Sequence, residues 1–131
     1  MIRARVVLAD DHPQLLDAAT TLLQPHFDIV GTVSYGATLV SETLRLRPDV
    51  IVTDITMPVL SGIDAIQQLK ESNFLPKIVI LTVHSENEFL NTCMAEGATG
   101  YVIKSWMKGH LVPAVQAALA GKPYVSPIVS M

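Results

Sequence analysis

Residues 6–16 read VVLADDHPQLL: an unbroken aliphatic run, two adjacent carboxylates at Asp10 and Asp11, then the first turn of an amphipathic helix. A short apolar run bounded by polar residues is the pattern of a strand buried on both faces, and such strands belong to parallel sheets covered by helices. Pro13 suits the first turn of the helix that follows, and Asp11 or His12 stands where a helix cap would. Leu15, Leu16, Ala19, Leu22 and Leu23 then continue along one helical face.

The same strand-then-helix alternation recurs five times along the chain. Strands are predicted over residues 4–9, 27–33, 50–53, 77–82 and 99–103. The intervening helices are marked by a weaker segment near 37–46, by Ile63, Ile66 and Leu69, and by Phe89, Leu90, Cys93 and Met94. Gly97 can end the last of these in a left-handed turn, and a final helix through Leu111, Val115, Ala118 and Leu119 ends at Gly121. Parallel neighbours need crossover connections, so the chain predicts an α/β fold: a flavodoxin-like, doubly wound (βα)5 sheet of five parallel strands in the order 2-1-3-4-5.

Composition bounds the function. At 131 residues, half of them hydrophobic and 16% charged, the chain can bury the core of one domain. No apolar run approaches the ~20 residues of a membrane-spanning helix. The N-terminus passes directly into a strand without a signal-peptide layout, so a soluble cytoplasmic protein is expected. The single cysteine, Cys93, fits a reducing compartment and reads as a small buried hydrophobe. A net charge of −3 with nine Lys and Arg argues against a basic face that grips nucleic acid.

In doubly wound sheets ligands bind beyond the carboxyl ends of the strands, where the strand order reverses. Those ends carry Asp10 and Asp11 after the first strand, Asp54 after the third, Thr82 after the fourth and Lys104 after the fifth. The first and third strands would be neighbours, about 4.8 Å apart, bringing three acids into one crevice. Unit charges about 5 Å apart repel by roughly 3 kcal/mol at an effective dielectric near 20, so the cluster must protonate, bind a cation or lose stability. An all-oxygen site of this kind suits Mg²⁺, and no clustering of Cys or His points to zinc. A metal flanked by a hydroxyl and a lysine is the equipment of phosphoryl transfer. Lys104, roughly 10 Å from Asp54 across two strand spacings, needs its whole side chain to reach it, whereas Thr82 is one spacing away. Met singly, these residues read as a helix cap, a loop acid, a strand-end hydroxyl and a solvated lysine. Their meeting at one sheet edge is what gives the set its meaning.

The segments LADDHP, VIVTDITMPVLSG, VILTVHSE and GATGYVIKS together resemble the receiver domain of bacterial two-component response regulators, over nearly the whole chain. The resemblance implies that Asp54, which spacing alone did not single out from its neighbours, accepts a phosphoryl group from a sensor histidine kinase or a small acyl phosphate. It implies Mg²⁺ bound by Asp10, Asp11, Asp54 and the backbone carbonyl of Thr56. Lys104, Thr82 and the backbone N–H groups of Thr56 and Val83 would hold the phosphoryl oxygens. Thr82 and Tyr101 would form the switch. This chain departs from many relatives in having Ser105 rather than proline after Lys104, so a cis peptide there is less secure, and in the bulk of Val83. Thr56 and His84 lie where relatives tune the lifetime of the phosphoryl group.

The ending ALAGKPYVSPIVSM resembles the exit of NarL/FixJ-class (LuxR-type) receivers into a linker to a helix-turn-helix domain. The expected organisation is a receiver over residues 1–122 and the start of a linker over 123–131. Transcription control would then run through a DNA-binding domain absent from this chain, with a stand-alone receiver acting through protein contacts as the alternative. Homodimerisation on phosphorylation is expected, and Leu15, Leu22, Leu111, Val115 and Leu119 offer a candidate face, although such stripes mainly face their own core. A Mg²⁺-dependent phosphatase of the haloacid-dehalogenase type is the competing class, but its Asp-x-Asp-x-Thr signature is absent from LADDHPQ.

Overall fold

Successive residues of a strand point to opposite faces of its sheet, and in this chain both faces are apolar. The computed structural model describes residues 3–127. Its elements run β1 (Arg5–Ala9), α1 (Pro13–Leu23), β2 (Asp28–Val33), α2 (Gly36–Leu46), β3 (Val50–Thr53) and α3 (Gly62–Glu71). They continue as β4 (Lys77–Thr82), α4 (Asn87–Glu96), β5 (Gly100–Ile103), a 3-10 turn (Lys104–Trp106), α5 (Met107–Leu119) and β6 (Tyr124–Val125). All strand pairings are parallel, and the sheet order is β2-β1-β3-β4-β5-β6.

Alternation sorts the core into two halves. Val6, Leu8, Val50, Val52, Val79, Leu81 and Val102 face α1 and α5, meeting Ala19, Leu23, Leu111, Val115 and Ala118. The residues between them face the other way. Val7, Ala9 and Ile51 pack with α2 and α3, and Ile78, Ile80, Tyr101 and Ile103 with α3 and α4. Cys93 lies wholly inside this second half, where burial pushes its thiol up to about 11. No helix among the described residues is long and apolar enough to cross a membrane.

The predicted helices form with small shifts at their ends. The weak second helix extends over Gly36–Leu46 and closes on Arg47 in the left-handed region, while α4 ends on Gly97 at φ 114° as the sequence suggested. His12 occupies the N-cap of α1, but neither it nor Asp11 caps the helix in the way expected: His12 contributes its backbone carbonyl, and its side chain makes no capping bond. The candidate dimer face also needs correction. Leu111 and Val115 are fully buried, Leu15 and Leu22 are partly buried against the same core, and Leu119 alone of the five is substantially exposed, at 37%.

The sheet has six strands rather than the predicted five. Residues 124–126 fall within the expected linker, because Tyr124 and Val125, between Pro123 and Ser126, are too few to show a period. They pair because the outer edge of β5 presents unsatisfied backbone groups. Tyr124 N–H donates to the Thr99 carbonyl at 3.0 Å and Ser126 N–H to that of Tyr101 at 2.9 Å. The buried Ile103 N–H, which the short strand leaves over, donates to Ser126 Oγ at 2.9 Å. Residues 128–131 of the expected linker lie outside the described residues. Ser126→Ala leaves the Ile103 amide without that acceptor and is expected to cost about 1–2 kcal/mol in urea unfolding; an unchanged midpoint would show that the edge contact contributes nothing.

Candidate functional site

The β1–β3 pairing sets the site. Ala9 stands opposite Thr53, and Asp54 N–H donates to the Ala9 carbonyl at 3.0 Å, so Asp10 and Asp54 leave adjacent strands side by side. Both are buried, at 2% and 4% exposure. Two enclosed carboxylates in one crevice require a cation, and the chain supplies its own. Lys104, in the turn after β5, extends past β4 and places Nζ 2.8 Å from Asp10 Oδ2 and 2.9 Å from Asp54 Oδ2. Burial acts to lower the Lys104 pKa, but the attraction of Asp10 and Asp54 outweighs it and holds the ammonium above its ordinary range. Its stabilising contribution is therefore complete up to the ordinary lysine value of about 10.4 and is lost only as pH rises through the raised one.

The remaining carboxylate oxygens are disposed in order. Asp54 Oδ1 accepts from the Ile55 N–H at 2.7 Å. Asp10 Oδ1 accepts from the His12 N–H at 2.9 Å and lies 3.0 Å from His12 Nδ1. The same Nδ1 is 3.1 Å from Asp11 Oδ1. The ring that was expected to serve the helix end is instead drawn over the two acids. Gly62, at the start of α3, is close to the loop carrying Asp54: a Cβ there would lie 2.1 Å from the Asp54 carbonyl oxygen, so only hydrogen fits.

Asp10, Asp11, His12 and Asp54 each present a donor atom within 4.8 Å of the others, a group that can hold a metal. The donor chemistry fits a hard divalent cation. Asp10 Oδ2 and Asp11 Oδ1 are sealed from solvent and receive no properly directed hydrogen bond, even though Lys104 Nζ and His12 Nδ1 stand within ion-pair distance of them. Sealed oxygens with spare lone pairs are the places where a cation repays desolvation.

The other predicted residues fall around the same cleft. Thr56, Val83 and His84 line it together with Asp11, His12, Asp54 and Lys104, and Val83 is 66% exposed at the rim. Thr82 is fully buried and its hydroxyl accepts from the His84 N–H at 3.2 Å. Tyr101 is also fully buried; its hydroxyl donates to the His84 carbonyl at 2.7 Å, and desolvation raises its pKa. No described peptide bond is cis, Lys104–Ser105 included.

His84, which the resemblance places with Thr56 among the residues that tune the phosphoryl lifetime, is also a structural junction. Its backbone engages Thr82 and Tyr101, its Nε2 lies 3.3 Å from Thr56 Oγ1, and its ring stacks on Phe89 at 4.1 Å. The loop after β4 has no hydrophobic period, so no pattern in the sequence could have announced these contacts.

A family model described as response regulator receiver domain matches residues 6–116. The chain is 32% identical over 126 residues to the transcriptional regulatory protein MctR of Rhizobium johnstonii, covering 95% of this chain and 59% of that protein. To the nitrate/nitrite response regulator protein NarL of Escherichia coli (strain K12) it is 31% identical, covering 94% and 58%. It therefore spans about three fifths of these relatives' length. Among solved structures, a LuxR-family two-component response regulator from Aurantimonas sp. SI85-9A1 superposes with a TM-score of 0.89 at 31% identity, over 95% of this chain and 91% of that one. The non-phosphorylated receiver domain of RcsB from Escherichia coli gives 0.87 at 25% identity, over 95% and 99%.

Lys104→Met removes the one cation among the described residues that touches both buried carboxylates. It is expected to cost about 2–3 kcal/mol at pH 7, below the value for a fully enclosed pair because the cleft is open. Chemical denaturation measures it, and wild-type stability in the variant would refute the bridging role.

Proposed function

The chain belongs to the response regulator receiver-domain family, and from that premise we propose that it is a phosphorylation-operated switch that accepts a phosphoryl group on Asp54. Receiver domains are signalling domains rather than classical enzymes, and the chain's relatives are NarL/LuxR-type response regulators. The observation that carries the proposal is the Lys104 ammonium lying on both Asp10 and Asp54 at the mouth of an acidic cleft.

Asp54 is the nucleophile: a carboxylate oxygen forms the new bond to phosphorus as the bond to a kinase phosphohistidine nitrogen, or to an acyl-phosphate oxygen, breaks in line. The electron pair of the broken bond leaves with the imidazole or carboxylate. Asp10, Asp11, Asp54 and the Thr56 carbonyl would hold Mg²⁺, which would supply charge neutralisation for the phosphoryl oxygens. Lys104 shifts from its carboxylate bridge onto one of those oxygens, and Thr82 with the backbone N–H groups of Thr56 and Val83 receives the others.

The new group brings up to about two negative charges and three acceptor oxygens, which favour whichever conformer presents donors. Thr82 now holds the His84 N–H, so its hydroxyl must release that contact to reach a phosphoryl oxygen. The loop carrying His84, which also holds the Tyr101 hydroxyl, is the element biased by the exchange. Its position beside α4 and β5 makes that face the readout surface. The partner is a sensor histidine kinase, and the output is transcription control through a DNA-binding domain in the parent protein. A structure of two RcsB dimers bound to two parallel DNAs, 26% identical with a TM-score of 0.86 over 95% of this chain and 64% of that one, supports an output through homodimers.

Incubation with Mg²⁺ and acetyl phosphate should add the mass of one phosphoryl group to the wild type and none to Asp54→Asn. A folded wild-type protein that gains no mass would overturn the reading. His84 Nε2 lies 3.3 Å from Thr56 Oγ1 and both residues line the cleft, so His84→Ala is expected to hasten loss of the phosphoryl group; equal decay rates in the two proteins would remove His84 from lifetime control.

A further inference from the structure

We propose that His12 is itself a ligand in the acidic cleft, and that its imidazole makes the site prefer a borderline divalent ion of the Co²⁺, Ni²⁺ or Zn²⁺ class over Mg²⁺. The inference rests on the reading of that cleft as a divalent-cation site and adds to it a nitrogen donor and a metal preference. Sequence spacing alone argued against any nitrogen-rich site here, since one histidine beside two aspartates is no cluster until the fold brings Asp54 alongside.

Donor spacing is the first argument. His12 Nδ1 stands 3.0 Å from Asp10 Oδ1 and 3.1 Å from Asp11 Oδ1. Adjacent ligands at metal distances of about 2.1 Å around an octahedral ion are separated by about 3.0 Å. A single Nδ1–H can point well at only one of the two oxygens, and Asp11 Oδ1 is left sealed from solvent without a directed hydrogen bond. A metal ion in the same corner satisfies all three atoms together.

The second argument is division of labour on Asp10. Its Oδ2 faces Lys104 and its Oδ1 faces His12, so the corner formed with Asp11 Oδ1 is distinct from the lysine bridge. A third is positioning. The ring is 68% exposed and therefore reachable from solvent, yet its aim is set by the backbone: the His12 N–H is tied to Asp10 Oδ1, and Pro13 fixes the next residue. The histidine across the cleft, His84, is committed to Thr56 and Phe89.

The chemistry follows. For the ring to ligate through Nδ1, that nitrogen must offer its lone pair, with the ring proton on Nε2. An imidazole nitrogen raises affinity for later first-row ions, which follow the order Mn²⁺ < Fe²⁺ < Co²⁺ < Ni²⁺ < Cu²⁺, while adding little for Mg²⁺ with its demand for oxygen.

The test is calorimetric titration of the chain with Mg²⁺ and, separately, with Co²⁺, whose visible spectrum also reports its ligands, in the wild type and in His12→Gln. Glutamine retains an N–H able to bond Asp10 and lacks the imidazole donor, so a purely hydrogen-bonding role would survive the change. Wild type should bind Co²⁺ at least about tenfold more tightly than Mg²⁺. His12→Gln should lose roughly tenfold in Co²⁺ affinity with altered Co²⁺ absorption, while Mg²⁺ affinity stays within about twofold. Circular dichroism checks folding, and His12→Asn replaces the variant if glutamine disturbs the start of α1. An unchanged ratio of Co²⁺ to Mg²⁺ affinity would overturn this inference and leave the Mg²⁺ site standing. Failure of both ions to bind would overturn both readings.

Discussion

Asp10 and Asp54 are enclosed carboxylates on adjacent strands, and their shared need for positive charge is the constraint to which the rest of the site answers. Lys104 meets it from two strands away, and only because β4 lies between β3 and β5 with its end at the same edge. Left unpaired, such charges would cost several kcal/mol each. The strand order, the length of the lysine side chain and the turn that follows β5 are thus parts of one electrostatic solution. A site balanced this way is also poised for change, because an arriving cation or phosphoryl group offers the same partners a different arrangement.

From that centre, contacts run outward without a break. Thr56 meets His84 at the rim; His84 holds Thr82 and Tyr101 through its backbone; Tyr101 and Ile103, in turn, anchor Ser126 at the edge of the sheet. The last described strand is therefore fastened to the strand that bears Tyr101. A further contact, His110 Nδ1 with the Tyr124 hydroxyl at 2.6 Å, ties the same edge to α5.

How much could be read beforehand depended on the range of the interaction concerned. Strands β1, β3 and β4 showed themselves as aliphatic runs because burial on both faces leaves no polar alternation. Gly97 announced the end of α4 because the left-handed turn there suits glycine. Asp10, Asp54, Thr82 and Lys104 were legible as strand-end residues once a parallel sheet was inferred. The pairing of β6 was not, since two residues carry no period and their strand character comes from the open edge of β5. The stripe of Leu111 and Val115 was ambiguous for a related reason: helical spacing is the same whether such residues face a partner or their own sheet, and here they face the sheet, as such stripes mainly do.

By itself, the sequence determined the class of fold, the polarity of its sheet edge and the chemical types gathered there, because periodicity and strand-end position are local properties of the chain. Only the tertiary structure decided which atoms meet. It laid Lys104 on two carboxylates, turned the side chain of the N-cap residue His12 toward Asp10 and Asp11, and made His84 the joint between Thr56, Thr82 and Tyr101. Those contacts join residues on separate elements, or side chains with several acceptors in reach, and their outcome depends on desolvation and hydrogen-bond geometry that exist only once the chain has closed around them.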